Sequence, residues 1–241
     1  MYLALLFICA VLPGVALMVM IYNQDKIEKE PRGLLAKLFF FGMLTTISAL
    51  ILELIGDIVV GVLFSEGSTV FNLLDCFLIV ACAEEGGKYF VNKKAAWKHP
   101  AFDYRFDGVV YGVFTGLGFA VLENILYVFE NGLGTAFFRA VTSIPGHAIF
   151  GIFMGLYFGY AKECAGRRDK KGCRTNLKKA FWIPVLLHGF YDFCLSEATA
   201  LSVAAFLIFL IVLYIAAFQA VKNGSRTDRR IVPDVPEEQD L

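Results

Sequence analysis

Apolar residues run through this chain in long blocks, and short polar stretches cut the blocks at nearly regular intervals. Seven blocks are long enough to cross a hydrocarbon core of about 30 Å as helices: 1–22, 33–63, 71–91, 107–129, 137–160, 180–196 and 200–221. They leave no room for a separate soluble domain. The pattern predicts an all-α, polytopic bundle of about seven transmembrane helices over residues 1–222, followed by a polar, disordered cytoplasmic tail over 223–241. The first block lacks a basic n-region, so it reads as a retained span and not as a signal peptide. The second is longer than a bilayer needs and carries Glu53 and Asp57 one turn apart. It is expected either to tilt or to break near Gly56, with the two acids toward an outer vestibule.

Composition agrees with the pattern: 58% of residues are hydrophobic and 18% charged, outside the range of soluble domains. The charge that remains alternates along the chain. Lys26, Lys29 and Arg32 follow the first block, Lys93, Lys94, Lys98 and Arg105 the third, a run from Lys162 to Lys179 the fifth, and Lys222 to Arg230 the last. The intervening turns near Glu66, Glu130 and Glu197 have no basic residue. By the positive-inside rule the N-terminus is outside and the C-terminus cytoplasmic, as expected of a multi-pass cell-membrane protein. The net charge of +0 says nothing about nucleic acid or acidic partners; no nucleic-acid motif stands out, and the expected partner is the lipid bilayer. Of the six cysteines, Cys164 and Cys173 are the two in a cytoplasmic loop; without a second pair they do not make a zinc knuckle.

Two blocks carry stripes of small residues. Gly108, Gly112, Gly116 and Ala120 recur every fourth position, as do Ser143, His147, Gly151, Gly155 and Gly159. Such stripes let helix backbones approach closely in lipid, which puts His147 on a packed face.

Against this apolar background Glu84, Glu85 and Lys88 stand out, because each charge near a bilayer centre costs roughly 2.5 to 3.5 kcal/mol on insertion scales. The i,i+4 and i,i+3 spacings let the ammonium reach either carboxylate, although Lys88 is close enough to its helix end to snorkel. His188 and Asp192 are one turn apart, which suits a carboxylate orienting an imidazole. Counted at 1.5 Å per residue, Glu84 and Glu85, Glu123, His147, His188 and Asp192 all fall in one slab around the middle of their spans. Four helices thus contribute polar groups at one depth.

Three chemistries suit them. Glu84 or Glu85 activates a water while His188, with Asn124 or Asp192, stabilises the oxyanion. Alternatively His147, His188 and a carboxylate such as Glu85 hold zinc with a position open for water. A nucleophilic serine, Ser143 beside His147, is the weakest of the three. A different class of function, a proton-coupled transporter or channel, would use the same ionisable residues as a relay, but no inverted repeat is visible.

The residues Glu84 to Lys88 as Glu-Glu-x-x-Lys, Phe119 to Asn124 as Phe-x-x-x-Glu-Asn, His147 to Gly151 as His-x-x-x-Gly and His188 to Asp192 as His-x-x-x-Asp resemble the PrsW family of intramembrane proteases. That family is distantly related to the prenyl-protein endopeptidases. The run Phe106 to Gly112 and the following Gly116 to Ala120 resemble the family as well. The resemblance implies an intramembrane endopeptidase that makes the first (site-1) cut in a single-pass anti-sigma factor during a stress response. It also implies Glu84, Glu85 and His188 as catalytic, with Lys88, Glu123, Asn124, His147 and Asp192 in support. By analogy with the prenyl-protein endopeptidases, one Glu of the pair activates water and the last motif forms the oxyanion site. Where those enzymes have a histidine in the second motif, this chain has Glu123 and Asn124, which makes His147 the candidate partner of the catalytic Glu.

Overall fold

A computed structural model describes residues 1–231, and everything it describes is helical or connecting backbone. In chain order the helices are α1 (Tyr2–Gln24), α2 (Arg32–Leu63), α3 (Thr69–Leu74), α4 (Ala81–Val91), α5 (Asp107–Asn131), α6 (Leu133–Val141), α7 (Ser143–Gly166), α8 (Lys170–Glu197) and α9 (Ala200–Arg226). Two wide-turned π segments, Asp75–Val80 and Asn92–Ala96, join α3 to α4 and extend α4. The chain is therefore an all-α membrane bundle. Among the described residues, five stretches are long and apolar enough to cross a membrane: α1, α2, α5, α6 with α7, and α9. The expected blocks at 71–91 and 180–196 are not among them. These carry Glu84, Glu85 and Lys88, and His188 and Asp192, whose polarity takes them out of the range of a simple apolar span.

Local chemistry sets the boundaries. Ser68 caps α3 by accepting from the Phe71 N–H at 3.2 Å, and Asp169 caps α8 by accepting from Gly172 at 2.8 Å. Thr199 and Ser202 form a reciprocal capping box at the start of α9. The block expected as one span from 137 is instead two helices meeting at Thr142. Pro145 explains where the second begins, since a residue without an N–H is tolerated in a first turn, where the N–H has no helical partner. The second block does not break at Gly56: α2 is continuous over 32 residues, roughly 48 Å of helix. At the other end α9 runs to Arg226, so the boundary expected at 222 and 223 falls inside a helix. Beyond it, Ile231 donates to the Asp103 carbonyl and the Phe106 N–H donates to Asp228. Residues 232–241 of the expected tail lie outside the described residues.

Helix α5 is the axis of the bundle. Its glycine stripe meets that of α7 so closely that a Cβ at Gly112 would run into the Gly151 carbonyl oxygen, and one at Gly155 into that of Gly108. On another face, a Cβ at Gly118 would strike the Phe39 carbonyl of α2. Backbone packing of this kind is the main source of helix association in lipid. The basic connections gather at one end of the bundle. There Lys162 donates to the Trp97 carbonyl at 2.6 Å, and Arg105 donates to Thr227. At the opposite end Asn72 of α3 donates to Glu197 of α8 at 2.9 Å.

Candidate active site

The wide-turned segment at Asp75–Val80 lies immediately before α4, and the helix then presents Glu84, Glu85 and Lys88 to the interior. Lys88 Nζ lies 3.0 Å from Glu84 Oε2 and 2.7 Å from Glu85 Oε1. It does not snorkel; the residue is 1% exposed. Its third contact is His147 Nδ1 of α7 at 3.2 Å, and it sits 3.9 Å over the Phe119 ring. An ammonium only donates. His147 Nδ1 is therefore the acceptor, and Nε2 carries the ring hydrogen, which it donates to Glu123 Oε2 of α5 at 3.0 Å.

His188 of α8 is held from both sides. Its Nδ1 is 3.0 Å from Glu85 Oε1 and its Nε2 3.1 Å from Asp192 Oδ2. Where both carboxylates are ionised, each only accepts, so both ring nitrogens donate and the ring is an imidazolium. It stacks on Phe150, with centroids 4.8 Å apart, and meets His147 edge to face at 5.3 Å. Both histidines lie 3.9 Å from Glu84 Oε2. The groups predicted from four separate motifs thus form one continuous network.

One member sits apart, and one was missing from the sequence reading. Asn124 does not face the reacting groups: its amide donates to the Ala10 carbonyl of α1 at 2.7 Å and accepts from Arg139 Nε at 2.9 Å. Arg139 of α6 also pairs with Glu123 Oε2 at 2.6 Å. Its signal was the one used for Glu84, a charge inside an otherwise apolar block, but it lay outside the recognised motifs. Within the network Glu84, Glu85, Glu123 and Asp192 face three cations: Lys88, Arg139 and His188.

A cavity of about 890 Å³ opens beside this network. Glu84, Glu123, His147, His188 and Asp192 line it, while Glu85 and Lys88 lie behind its wall. The lining continues past Glu53 and Asp75 to Glu130, Asn131 and Ser196, at the ends of α5 and α8 away from the basic connections. Glu53 is thus in the vestibule the sequence suggested, whereas Asp57 is not among its lining residues.

The same residues suit a metal ion. One ligand atom from each of Glu84, Glu85, His147 and His188 lies within 4.8 Å of the others, all four residues being buried. Two imidazoles and two carboxylates are a zinc-type donor set. Glu85 Oε2 is buried without a partner, as a ligand position left open would be. Lys88 Nζ touches three of these four residues, so the ammonium and a metal would share their donors.

Comparison with known proteins bears on this arrangement. The profile of a family described as PrsW family intramembrane metalloprotease matches residues 30–219. A Protease PrsW of Geobacillus kaustophilus (strain HTA426) is 36% identical over 226 residues, covering 93% of this chain and 95% of the relative. Proteins of the same name from Bacillus subtilis (strain 168) and Clostridioides difficile (strain 630) are 35% and 32% identical. They align over 79% and 87% of this chain and over 81% and 87% of their own lengths. No solved structure matches. The chain belongs to the PrsW family.

Proposed function

We propose, with membership of the PrsW family as the premise, that this protein hydrolyses a peptide bond of a single-pass membrane protein. The bond lies near the membrane face opposite the basic end. The substrate class is an anti-sigma factor, cut for the first time in a stress response. By the distribution of basic residues this face is the outer one, and the chain crosses the bilayer seven times. The observation that carries the reading is that Glu84, His147 and His188 line a cavity of about 890 Å³ inside a lipid-embedded bundle.

The geometry separates the two glutamates. Glu84 makes its hydrogen bond to Lys88 through Oε2, lines the cavity and stands between two imidazoles. Glu85 lies behind the wall and holds Lys88 and His188 in place. Glu84 is accordingly the base. It takes a proton from a water in the cavity as the water oxygen attacks the scissile carbonyl carbon. The carbonyl oxygen becomes an oxyanion, stabilised by the fixed positive charge of His188. Glu84 then returns the proton to the peptide nitrogen as the oxyanion re-forms the carbonyl and the C–N bond breaks, leaving one new carboxylic acid and one new amine, between which a proton passes to give carboxylate and ammonium. Lys88 orients Glu84, and the Glu123–Arg139 pair holds His147 in its tautomer. Zinc held by Glu84, Glu85, His147 and His188, with His188 neutral and its ligating nitrogen unprotonated, would take the place of the imidazolium charge and would supply Lewis-acid polarisation of the carbonyl and a water acidified to neutral pH.

The test is cleavage of a fluorogenic transmembrane peptide by the purified protein in lipid nanodiscs. Glu84→Gln and His188→Ala are expected to abolish turnover while the protein stays monodisperse. Undiminished turnover by Glu84→Gln would refute the assignment of the base. Dialysis against a strong chelator decides the zinc question: loss of turnover restored by zinc supports it, and full turnover in metal-free buffer overturns it.

A further inference from the structure

A second cluster of buried charge lies at the basic end, where the α1–α2 loop meets the first residue of α5, away from the cavity. The loop joining α1 to α2 turns Asp25 and Glu30 inward against Asp107, the first residue of α5. Their exposures are 1%, 4% and 1%, while Lys26 to Lys29 between them are exposed. One carboxylate oxygen from each lies within 4.8 Å of the other two.

Three features set this trio apart from an ordinary acidic patch. Among the described residues no lysine or arginine forms an ion pair with any of the three. Lys29, the nearest candidate, donates to the backbone carbonyls of Tyr22 and Asp25. Asp25 Oδ2 is buried with no hydrogen-bond partner at all. Glu30 and Asp107 are in side-chain contact, which two carboxylates reach only with something positive between them. A shared proton would answer that pair but leave Asp25 Oδ2 bare, whereas a divalent cation answers all three. The surroundings fix the ligands as a metal site requires. Asp107 Oδ2 accepts the Asp103 and Tyr104 N–H groups at 3.1 and 2.7 Å, leaving Oδ1 for an ion, and the buried Tyr111 hydroxyl donates to Glu30. Burial pushes the Asp25 carboxyl up to about 6 against the lowering effect of the Lys29 charge, and that of Glu30 up to about 7.

We propose that Asp25, Glu30 and Asp107 bind a hard divalent cation of the magnesium, calcium or manganese class. The cation ties the α1–α2 loop to the start of α5. Oxygen-only donors favour such ions over zinc, which keeps this site chemically distinct from the histidine-containing one.

The experiment uses full-length protein in nanodiscs, stripped of metal and titrated with Mn²⁺, Mg²⁺ or Ca²⁺, read by Mn²⁺ electron paramagnetic resonance and by thermal unfolding. Wild type should bind Mn²⁺ in competition with Mg²⁺ or Ca²⁺. Its melting temperature should rise by roughly 5 to 10 °C at a cation concentration a hundred times Kd. Asp25→Asn and Asp107→Asn should remove that signal and that rise. In cation-free buffer Asp25→Asn should melt higher than wild type, because it removes a bare buried charge. His188→Ala, which disables the other donor set, should keep both the signal and the rise. A wild type indifferent to all three ions, or an Asp25→Asn protein that binds as wild type does, would overturn the proposal.

Discussion

Helix α5 runs past two buried polar clusters that handle the same electrostatic problem differently. Near its middle, four carboxylates are interleaved with Lys88, Arg139 and His188, so that nearly every charge has an opposite within hydrogen-bonding distance. At its basic end, three carboxylates converge, and among the described residues none of them forms an ion pair with a lysine or arginine; Lys29 donates to backbone carbonyls there instead. In the first cluster the chain supplies its own cations and leaves Glu84 facing a cavity; this is what a reaction needs, a fixed field with one accessible base. In the second, among the described residues, none of the three acids lines that cavity and none forms an ion pair with a lysine or arginine, which suits a site that holds an ion without doing chemistry. Burial of acids alone, then, does not separate the two clusters; the interleaving of opposite charges beside open space does.

Four sets of substitutions break or sharpen that contrast, in decreasing order of effect. Glu84→Gln should lower turnover of a transmembrane peptide by about 10²- to 10⁴-fold, as expected for loss of a general base. Asp25→Asn, assayed alongside, should change turnover by no more than a few fold. Equal losses would mean the two clusters act as one. Lys88→Met strands Glu84 and Glu85, and breaking a buried pair in this way costs about 3 to 5 kcal/mol. It should appear as a large drop in melting temperature, opposite in sign to Asp25→Asn in cation-free buffer. Arg139→Gln releases Glu123 while leaving the core intact, and should reduce kcat by roughly 10- to 100-fold with KM little changed, the usual loss when the carboxylate behind a working histidine is freed. Steady-state kinetics on the same peptide separates this from a binding defect. The smallest effects belong to packing. Gly112→Ala pushes a methyl into the Gly151 carbonyl and should cost about 1 to 3 kcal/mol. Gly134→Ala meets nothing within 4 Å and should change stability by no more than about 1 kcal/mol, in the stabilising direction. Chemical denaturation of both proteins in lipid is the check.

Much of the cluster proposed to react was legible in the chain because most of its members violate the solvent they sit in. Glu84, Glu85, Lys88, His188 and Asp192 are expensive in a bilayer, and helical spacing alone put Lys88 beside both glutamates and Asp192 beside His188. The trio at the basic end carried no such signal, since Asp25 and Glu30 look like ordinary charges in a polar connection and Asp107 like the polar first residue of an apolar block. Asn124 was legible as a motif residue but not as the link that ties Arg139 to α1, because an amide can turn to whichever helix folds against it. The break at Thr142 was hidden by apolar residues on both sides, which hydropathy averages into one span.

What the chain determined by itself is therefore what depends on local spacing and on the cost of placing a group in lipid. That covers the helical membrane bundle, the end at which the basic residues gather, the glycine faces that pack, and most of the polar residues that gather in the central network. Only the tertiary structure decided that Glu84 and not Glu85 lines the cavity, that the cavity leads away from the basic end, that Arg139 closes the network, and that three acids meet beneath the α1–α2 loop. Those outcomes depend on the rotation of each helix about its axis and on which helices become neighbours. Packing against the whole bundle sets both, and no periodicity along a single helix encodes them.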